Sequence, residues 1–165
     1  MTSTELMARM GELVASTSPN DVLVSIGLGS CIGLAVIEHG FGRAGLAHVM
    51  LPSSESGTGA SPAKFADLAV PALVQELTRL GAVKSRLGAV VVGGAQMFPG
   101  MADKGLDIGA RNERAVLDAL RHAGVRVDAS ETGGGKGRTI RVDLGKGRVT
   151  VKEAGGRETP VLEVR

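Results

Sequence analysis

The stretch "CIGLAVIEHGFGRAGLAHVML", residues 31–51, predicts a β-hairpin, and this hairpin decides how the rest of the chain is interpreted. Residues 31–38 and 43–51 are rich in apolar and β-branched side chains, which favour strands. The tetrapeptide "HGFG" at 39–42 supplies small residues for a turn between them. Two adjacent antiparallel strands are therefore expected here.

The length of the turn decides whether Cys31 and His48 lie on the same face of the hairpin. A four-residue turn pairs residue 33 with His48, so His48 lies diagonal to Cys31 with α-carbons about 7–8 Å apart. A turn at 38–41 places the two residues directly opposite each other. A turn with an odd number of residues places them on opposite faces.

Hydrophobic patterns outside the hairpin predict more strands and two main helices. Ser61 and Pro62 resemble the N-cap and first residue of a helix that continues to Leu80. The other predicted elements are strands at 21–29, 86–95 and 125–131, a helix at 110–123 closed by Gly124, and a second hairpin at 139–154. Together they predict an α/β (α+β) sandwich with mixed or antiparallel sheet layers, in a single domain over residues 1–165.

Composition excludes several classes of function. The formal charge is only +2, and the chain has three Phe and no Tyr or Trp, so neither a basic stripe nor stacking aromatics favour nucleic-acid binding. One cysteine cannot form an internal disulfide, and one Cys with three scattered His predicts no zinc site. No segment resembles a signal peptide or a membrane span. We therefore expect a soluble, cytoplasmic, monomeric protein without a metal.

Cys31 has two interpretations. A free cysteine is often a small buried hydrophobic residue. Beside His48, however, its thiol could be activated as a nucleophile, because the imidazole takes the proton or stabilises the thiolate. The preceding glycines leave room for a substrate, and the backbone at Gly29 and Ser30 is then placed to face a developing oxyanion. Ser25, in the preceding strand, is the candidate that orients His48, although it is equally plausible as a polar residue on a strand face.

Two further motifs lie in loops. "TGGGKGR" at 132–138 lacks the spacing of a phosphate loop, so we interpret it as a flexible loop, and nucleotide binding is a secondary hypothesis. "GGAQMFPGM" at 93–101 carries Met97 and Phe98, which either fold back on the core or form a contact for a protein partner.

With these residues in view, the sequence resembles the chemoreceptor glutamine deamidase family, CheD. Six blocks carry the resemblance, in the family's order and spacing, over roughly residues 22–152. They are "LGSCIGLAV", "GLAHVMLP", "KFADLAVPALVQEL", "VVGGAQMF", "IGARNERAV" and "ETGGGKGRTI".

The resemblance implies a small α/β sandwich that hydrolyses selected glutamine side chains of chemoreceptors to glutamate without a cofactor. The family's nucleophile falls on Cys31 and its histidine on His48, and the third member of its triad, usually threonine, falls on Ser25. The implied partners are the cytoplasmic domains of chemoreceptors and, for some family members, a CheC-type phosphatase. The alternative is a non-catalytic adaptor that binds receptors or such a phosphatase.

Overall fold

The structure is a computed structural model that describes residues 3–54, 61–97 and 107–163. Within these ranges the chain forms ten strands and two α-helices. The strands are β1 (Thr4–Met7), β2 (Leu13–Ser16), β3 (Asp21–Leu28), β4 (Ile32–Glu38), β5 (Ala44–Val49), β6 (Leu87–Gly93), β7 (Arg126–Thr132), β8 (Arg138–Asp143), β9 (Arg148–Glu153) and β10 (Glu158–Glu163). The helices are α1 (Ala66–Arg79) and α2 (Ile108–Ala123).

The strands form two mixed sheets of five strands each. The first sheet has the order β1-β3-β8-β9-β10, and the second has the order β2-β5-β4-β6-β7. Neighbouring strands are antiparallel except for the pairs β1–β3 and β6–β7, which are parallel. The predicted α+β sandwich with mixed sheets and two main helices is confirmed.

The second sheet is the middle layer of the molecule. On one face, residues such as Leu46 and Val90 pack with Leu23 and Ile140 of the first sheet. On the other face, its side chains pack with α1 and α2. Since both faces are covered, β4 is buried along its whole length, which explains why its sequence is a continuous apolar run.

The predicted start of the first helix is wrong. Ser61 makes no side-chain capping bond, and Pro62–Lys64 form a short 3₁₀ turn instead. Phe65 then adopts an extended conformation and pairs with Leu51, so α1 begins only at Ala66. Pairing with the chain beyond β5 therefore delays the helix by one turn.

The second helix and the second hairpin are confirmed. Asp107 caps α2 by accepting a hydrogen bond from the Ala110 N–H, and Gly124 ends it in the left-handed conformation. Strands β8 and β9 pair antiparallel, as the hairpin predicted. The strands β1, β2 and β10 were not predicted, because each is short and lacks a clear alternation of apolar and polar residues.

Candidate functional site

The β4–β5 hairpin has the register that brings Cys31 and His48 to one face. Gly33 pairs with His48, as a four-residue turn at 39–42 predicts. Ile32 and Val49 belong to the cluster beneath the helices, so their neighbours Cys31 and His48 face the space between the two sheets. The predicted diagonal relation of the two residues is confirmed.

The chain that leads to Cys31 is reshaped by a bulge at the end of β3. The register with β8 shifts between Ser25 and Leu28, and Gly27 has a φ of 72°. Such a conformation favours glycine, and it turns the chain out of the first sheet and towards β4. Cys31 lies just before β4, half-buried against the core between the sheets.

His48 is buried and is held by groups from the first sheet and the chain that follows β1. Its Nδ1 lies 3.3 Å from both the Ser25 Oγ and the carbonyl oxygen of Ala8. Ser25, also buried, donates its hydroxyl proton to the same Ala8 oxygen at 2.6 Å. Because that proton is used, Nδ1 carries a hydrogen and donates it to these two oxygens.

The other ring nitrogen of His48 is left with a free lone pair. Nε2 is buried and has no hydrogen-bond partner among the described residues. An imidazole protonated on Nδ1 accepts a proton only at Nε2. The arrangement therefore fixes one tautomer and leaves its basic nitrogen available.

Burial keeps the pair uncharged at rest. It lowers the pKa of His48 below the usual histidine value, an effect partly opposed by the bond to Ala8. Burial also raises the pKa of the Cys31 thiol. Since both shifts favour the neutral form, the resting state has a neutral thiol at Cys31 and a neutral imidazole at His48.

The backbone around Cys31 is held by the loop after β6. The Cys31 carbonyl accepts a hydrogen bond from the Gly94 N–H, and the Gly29 carbonyl accepts one from Ala95. A Cβ on Gly93 would collide with the Cys31 carbonyl oxygen, so only glycine allows this approach. The N–H groups of Ser30 and Cys31 donate to no described acceptor.

Asn112 is a buried polar residue at this site that the sequence analysis missed. Its Nδ2 donates to the carbonyls of Ser30, at 2.9 Å, and Met50, at 3.0 Å. It lies on the buried face of α2 with Val116 and Leu120, and a polar residue on an apolar stripe was the signal that could have identified it. Ala8 was missed too, and a backbone carbonyl has no comparable signal in a sequence.

The two predicted loops lie next to each other. The Met97 side chain is exposed and lies over Gly29, whereas Phe98 lies outside the described residues. In "TGGGKGR", the Gly134 carbonyl accepts a hydrogen bond from the Gln96 N–H. Arg138 is buried and donates to the carbonyls of Gly93 and Gly133, so its guanidinium supports the loop rather than a phosphate.

Two features of the described ranges concern metal binding and membrane crossing. Among these residues, no three His, Cys, Asp or Glu side chains are grouped so that they could hold a metal ion. Neither helix has the length and apolar character that crossing a membrane requires.

Comparisons with known proteins give a consistent result. The family model for CheD chemotactic sensory transduction matches residues 50–153. A probable chemoreceptor glutamine deamidase CheD from Desulforamulus reducens is 40% identical over 153 residues, which cover 92% of both chains. A protein of the same name from Desulfitobacterium hafniense strain DSM 10664 / DCB-2 is 46% identical over 145 residues, covering 87% of this chain and 89% of that one.

A solved structure from Neisseria meningitidis, of the family-model DUF152 type, matches with a TM-score of 0.46 and 8% identity, over 78% of this chain and 62% of that one. The family model covers well over half of the chain, and the two relatives exceed 38% identity along most of it. This chain belongs to the CheD family.

Proposed function

We propose that this protein hydrolyses glutamine side-chain amides of chemoreceptors to glutamate and releases ammonia. The relatives named above are called probable chemoreceptor glutamine deamidases. The observation that carries the proposal is the state of His48: Nδ1 is fixed by Ala8 and Ser25, Nε2 has a free lone pair, and the hairpin register puts Cys31 diagonal to His48 on one face. A fixed tautomer with a free basic nitrogen is what a general base for a thiol requires, and Nε2 makes no hydrogen bond to the Cys31 sulfur in the resting structure.

In the first half of the reaction, Cys31 forms a thioester with the substrate. The Cys31 sulfur attacks the amide carbon while Nε2 of His48 takes the thiol proton. The tetrahedral intermediate collapses, the carbon–nitrogen bond breaks, and His48 gives its proton to the departing nitrogen, which leaves as ammonia. Because burial favours the neutral forms of both groups, the thiol proton must pass to His48 for the sulfur to attack.

In the second half, water hydrolyses the thioester. His48 takes a proton from the water as its oxygen attacks the carbonyl carbon. Collapse breaks the carbon–sulfur bond, and the sulfur recovers a proton from His48. The balance is glutamine and water converted to glutamate and ammonia, with no cofactor or metal in any step.

The backbone before Cys31 is the proposed oxyanion site. The N–H groups of Ser30 and Cys31 are uncommitted among the described residues, and the flexible Met97 side chain lies against Gly29 beside them. Two such donors would stabilise the charge on the carbonyl oxygen in both tetrahedral intermediates. We assign Ser25 to the orientation of His48, since it does not lie on the route of the transferred proton.

We further propose that the protein acts as a monomer in the cytoplasm on the cytoplasmic domains of receptors. Met97 is exposed and lies over Gly29, which supports a role in contact with the receptor or with a CheC-type phosphatase. An exposed, flexible apolar side chain beside the nucleophile suits such an adaptable contact.

Mass spectrometry of a purified receptor cytoplasmic fragment tests the function. The fragment is incubated with wild-type protein, Cys31→Ala, His48→Ala or His122→Ala, where His122 is an exposed histidine on α2 that serves as the control. We expect glutamine to become glutamate with the wild type and His122→Ala only. Receptor binding without ammonia release by the wild type would contradict the proposal and favour the adaptor.

A further inference from the structure

Asn112 links the two chain segments that carry the proposed catalytic residues. Its side chain is fully buried, and its one amide nitrogen donates to the Ser30 and Met50 carbonyls. Ser30 directly precedes Cys31, and Met50 follows His48 by two residues. One side chain on α2 therefore contacts both the nucleophile loop and the end of the histidine strand.

The orientation of this amide is unambiguous. Both acceptors are carbonyl oxygens, so only the NH₂ group can face them. The amide oxygen is buried and has no hydrogen-bond partner among the described residues. A flipped amide would place oxygen against two oxygens, and an aspartate carboxylate would have the same defect.

The Asn112 side chain lies where direct pairing between β4 and β5 ends. The last pair between β4 and β5 is Ile32 with Val49. In the same register the next pair would be Cys31 with Met50, but the ladder stops before it. Beyond that point the nucleophile loop is bonded to the loop after β6, and Met50 is bonded to Lys64. Among the described contacts, Asn112 joins the two segments at this position.

We propose that Asn112 is a positioning residue that fixes Cys31 relative to His48. The inference rests on the proposed function, in which the thiol must transfer its proton to Nε2 as it attacks. Without the two donors, the Ser30 and Met50 carbonyls lose their shared partner, and no described contact joins the two segments beyond the Ile32–Val49 pair. A displacement of about 1 Å in an active site can reduce the rate about 100-fold.

The first test compares Asn112→Leu with Thr132→Val. Leucine keeps the number and branching of the side-chain heavy atoms of asparagine but removes both donors. Thr132→Val removes a different side-chain bond of α2, the 2.7 Å bond to Glu113, which touches neither catalytic segment. For Asn112→Leu we expect kcat for receptor deamidation to fall at least about tenfold, with KM within about twofold. For Thr132→Val we expect both constants to stay within about twofold of the wild type.

A second test is independent of deamidation. Cys31 is the only cysteine in the sequence, so its rate of alkylation by iodoacetamide reports on the thiol alone. His48→Ala should change this rate in the wild-type and Thr132→Val backgrounds, but have little effect in Asn112→Leu, because His48 and Cys31 are no longer coupled. A loss of stability alone would lower the melting temperature and leave this coupling in place.

Each outcome has a separate meaning. If Asn112→Leu keeps kcat and the effect of His48→Ala on alkylation, the positioning role is refuted. If the wild type never deamidates a receptor, but His48→Ala changes alkylation in the wild type and not in Asn112→Leu, the proposed function fails and the positioning role stands.

Discussion

At the scale of the residue, the site depends on how one imidazole is held. The Ala8 carbonyl receives two hydrogen bonds, one from the Ser25 hydroxyl and one from the His48 ring. These hydrogen bonds among Ala8, Ser25 and His48 fix the proton on Nδ1 of the imidazole, and no carboxylate takes part. A neutral orienting group leaves His48 less basic than an Asp partner would, in line with the effect of its burial.

The lowered pKa of His48 predicts how activity depends on pH. In the proposed mechanism His48 accepts a proton only when neutral, and a lowered pKa keeps it neutral as the pH falls. We therefore expect the acid limb of kcat/KM to lie below about pH 6.5, the usual value for histidine. A pH–rate profile measures it, with the residual rate of His48→Ala as the control that lacks this limb. An acid limb at or above that pH would contradict the prediction.

The role of Ser25 predicts a moderate effect of its removal. Ser25→Ala deletes a bond of about 1 kcal/mol, but Ala8 still orients Nδ1, so we expect kcat to fall roughly fivefold. Ser25→Thr keeps the hydroxyl and restricts its rotamer, so kcat should be no lower than that of the wild type. Steady-state deamidation kinetics measure both. A loss with Ser25→Ala as large as that with His48→Ala would indicate a direct role in proton transfer.

At the scale of the element, the ends of β3, β4 and β6 create the site. The bulge in β3 turns the chain out of the first sheet before Cys31, and the loop after β6 donates a hydrogen bond to the Cys31 carbonyl. These are positions where regular pairing stops. Backbone groups that would otherwise be used in the ladder are then available for a substrate.

A glycine in β6 provides the sharpest test at this scale. Gly93 has a φ of 115°, and its Cβ would meet the backbone at Cys31, whereas Gly40 has a φ of 90° in open space. Gly40→Ala should cost roughly 1–2 kcal/mol from conformation alone. Gly93→Ala should cost roughly 3 kcal/mol or more, because the backbone must also move. Urea denaturation measures both, and equal losses would show that the close approach is unimportant.

The sequence predicts the strand pairs well and the supporting contacts poorly. An even-numbered turn sets the register of Cys31 and His48, and the alternation of β8 and β9 follows from one exposed face. The contacts of Ala8 and Asn112 depend on segments that are 40 and 82 residues from their partners. No local pattern encodes such distances. The fold class and the register that brings Cys31 and His48 to one face therefore follow from the sequence, whereas the contacts that orient His48 need the structure.

At the scale of the whole molecule, a buried carboxylate joins the layers at the end of β4. Glu38 accepts hydrogen bonds from the Val83 N–H, at 2.8 Å, and from Arg43, at 2.7 Å. The bond from Val83 is the main cause of the lowered pKa of Glu38, and Arg43 adds to it. The loop after α1 is thereby attached to the middle sheet.

This carboxylate predicts a pH-dependent part of the stability. Because the pKa is lowered in the fold, the contribution is complete above the usual glutamate value of 4.5 and is lost as the pH falls through the lowered one. Glu38→Gln should reduce the free energy of unfolding by roughly 2 kcal/mol at pH 7, with a smaller difference at acid pH. Urea denaturation from pH 3 to 7 measures it, with Glu12→Gln, at an exposed position, as the control. A difference that is constant with pH would contradict this account.

Because the Ala8 carbonyl holds His48, the N-terminal segment is restricted in how its sequence can evolve. Ala8 is fully buried in the core between the sheets, so position 8 itself admits only a small side chain, and a residue inserted directly before it shifts the oxygen out of reach of His48. The exposed positions of β1, Thr4 and Glu5, should therefore tolerate many amino acids, while the segment tolerates only one length. A library of single-residue insertions and deletions would show activity collapsing there, at positions where a library of point mutants finds little constraint.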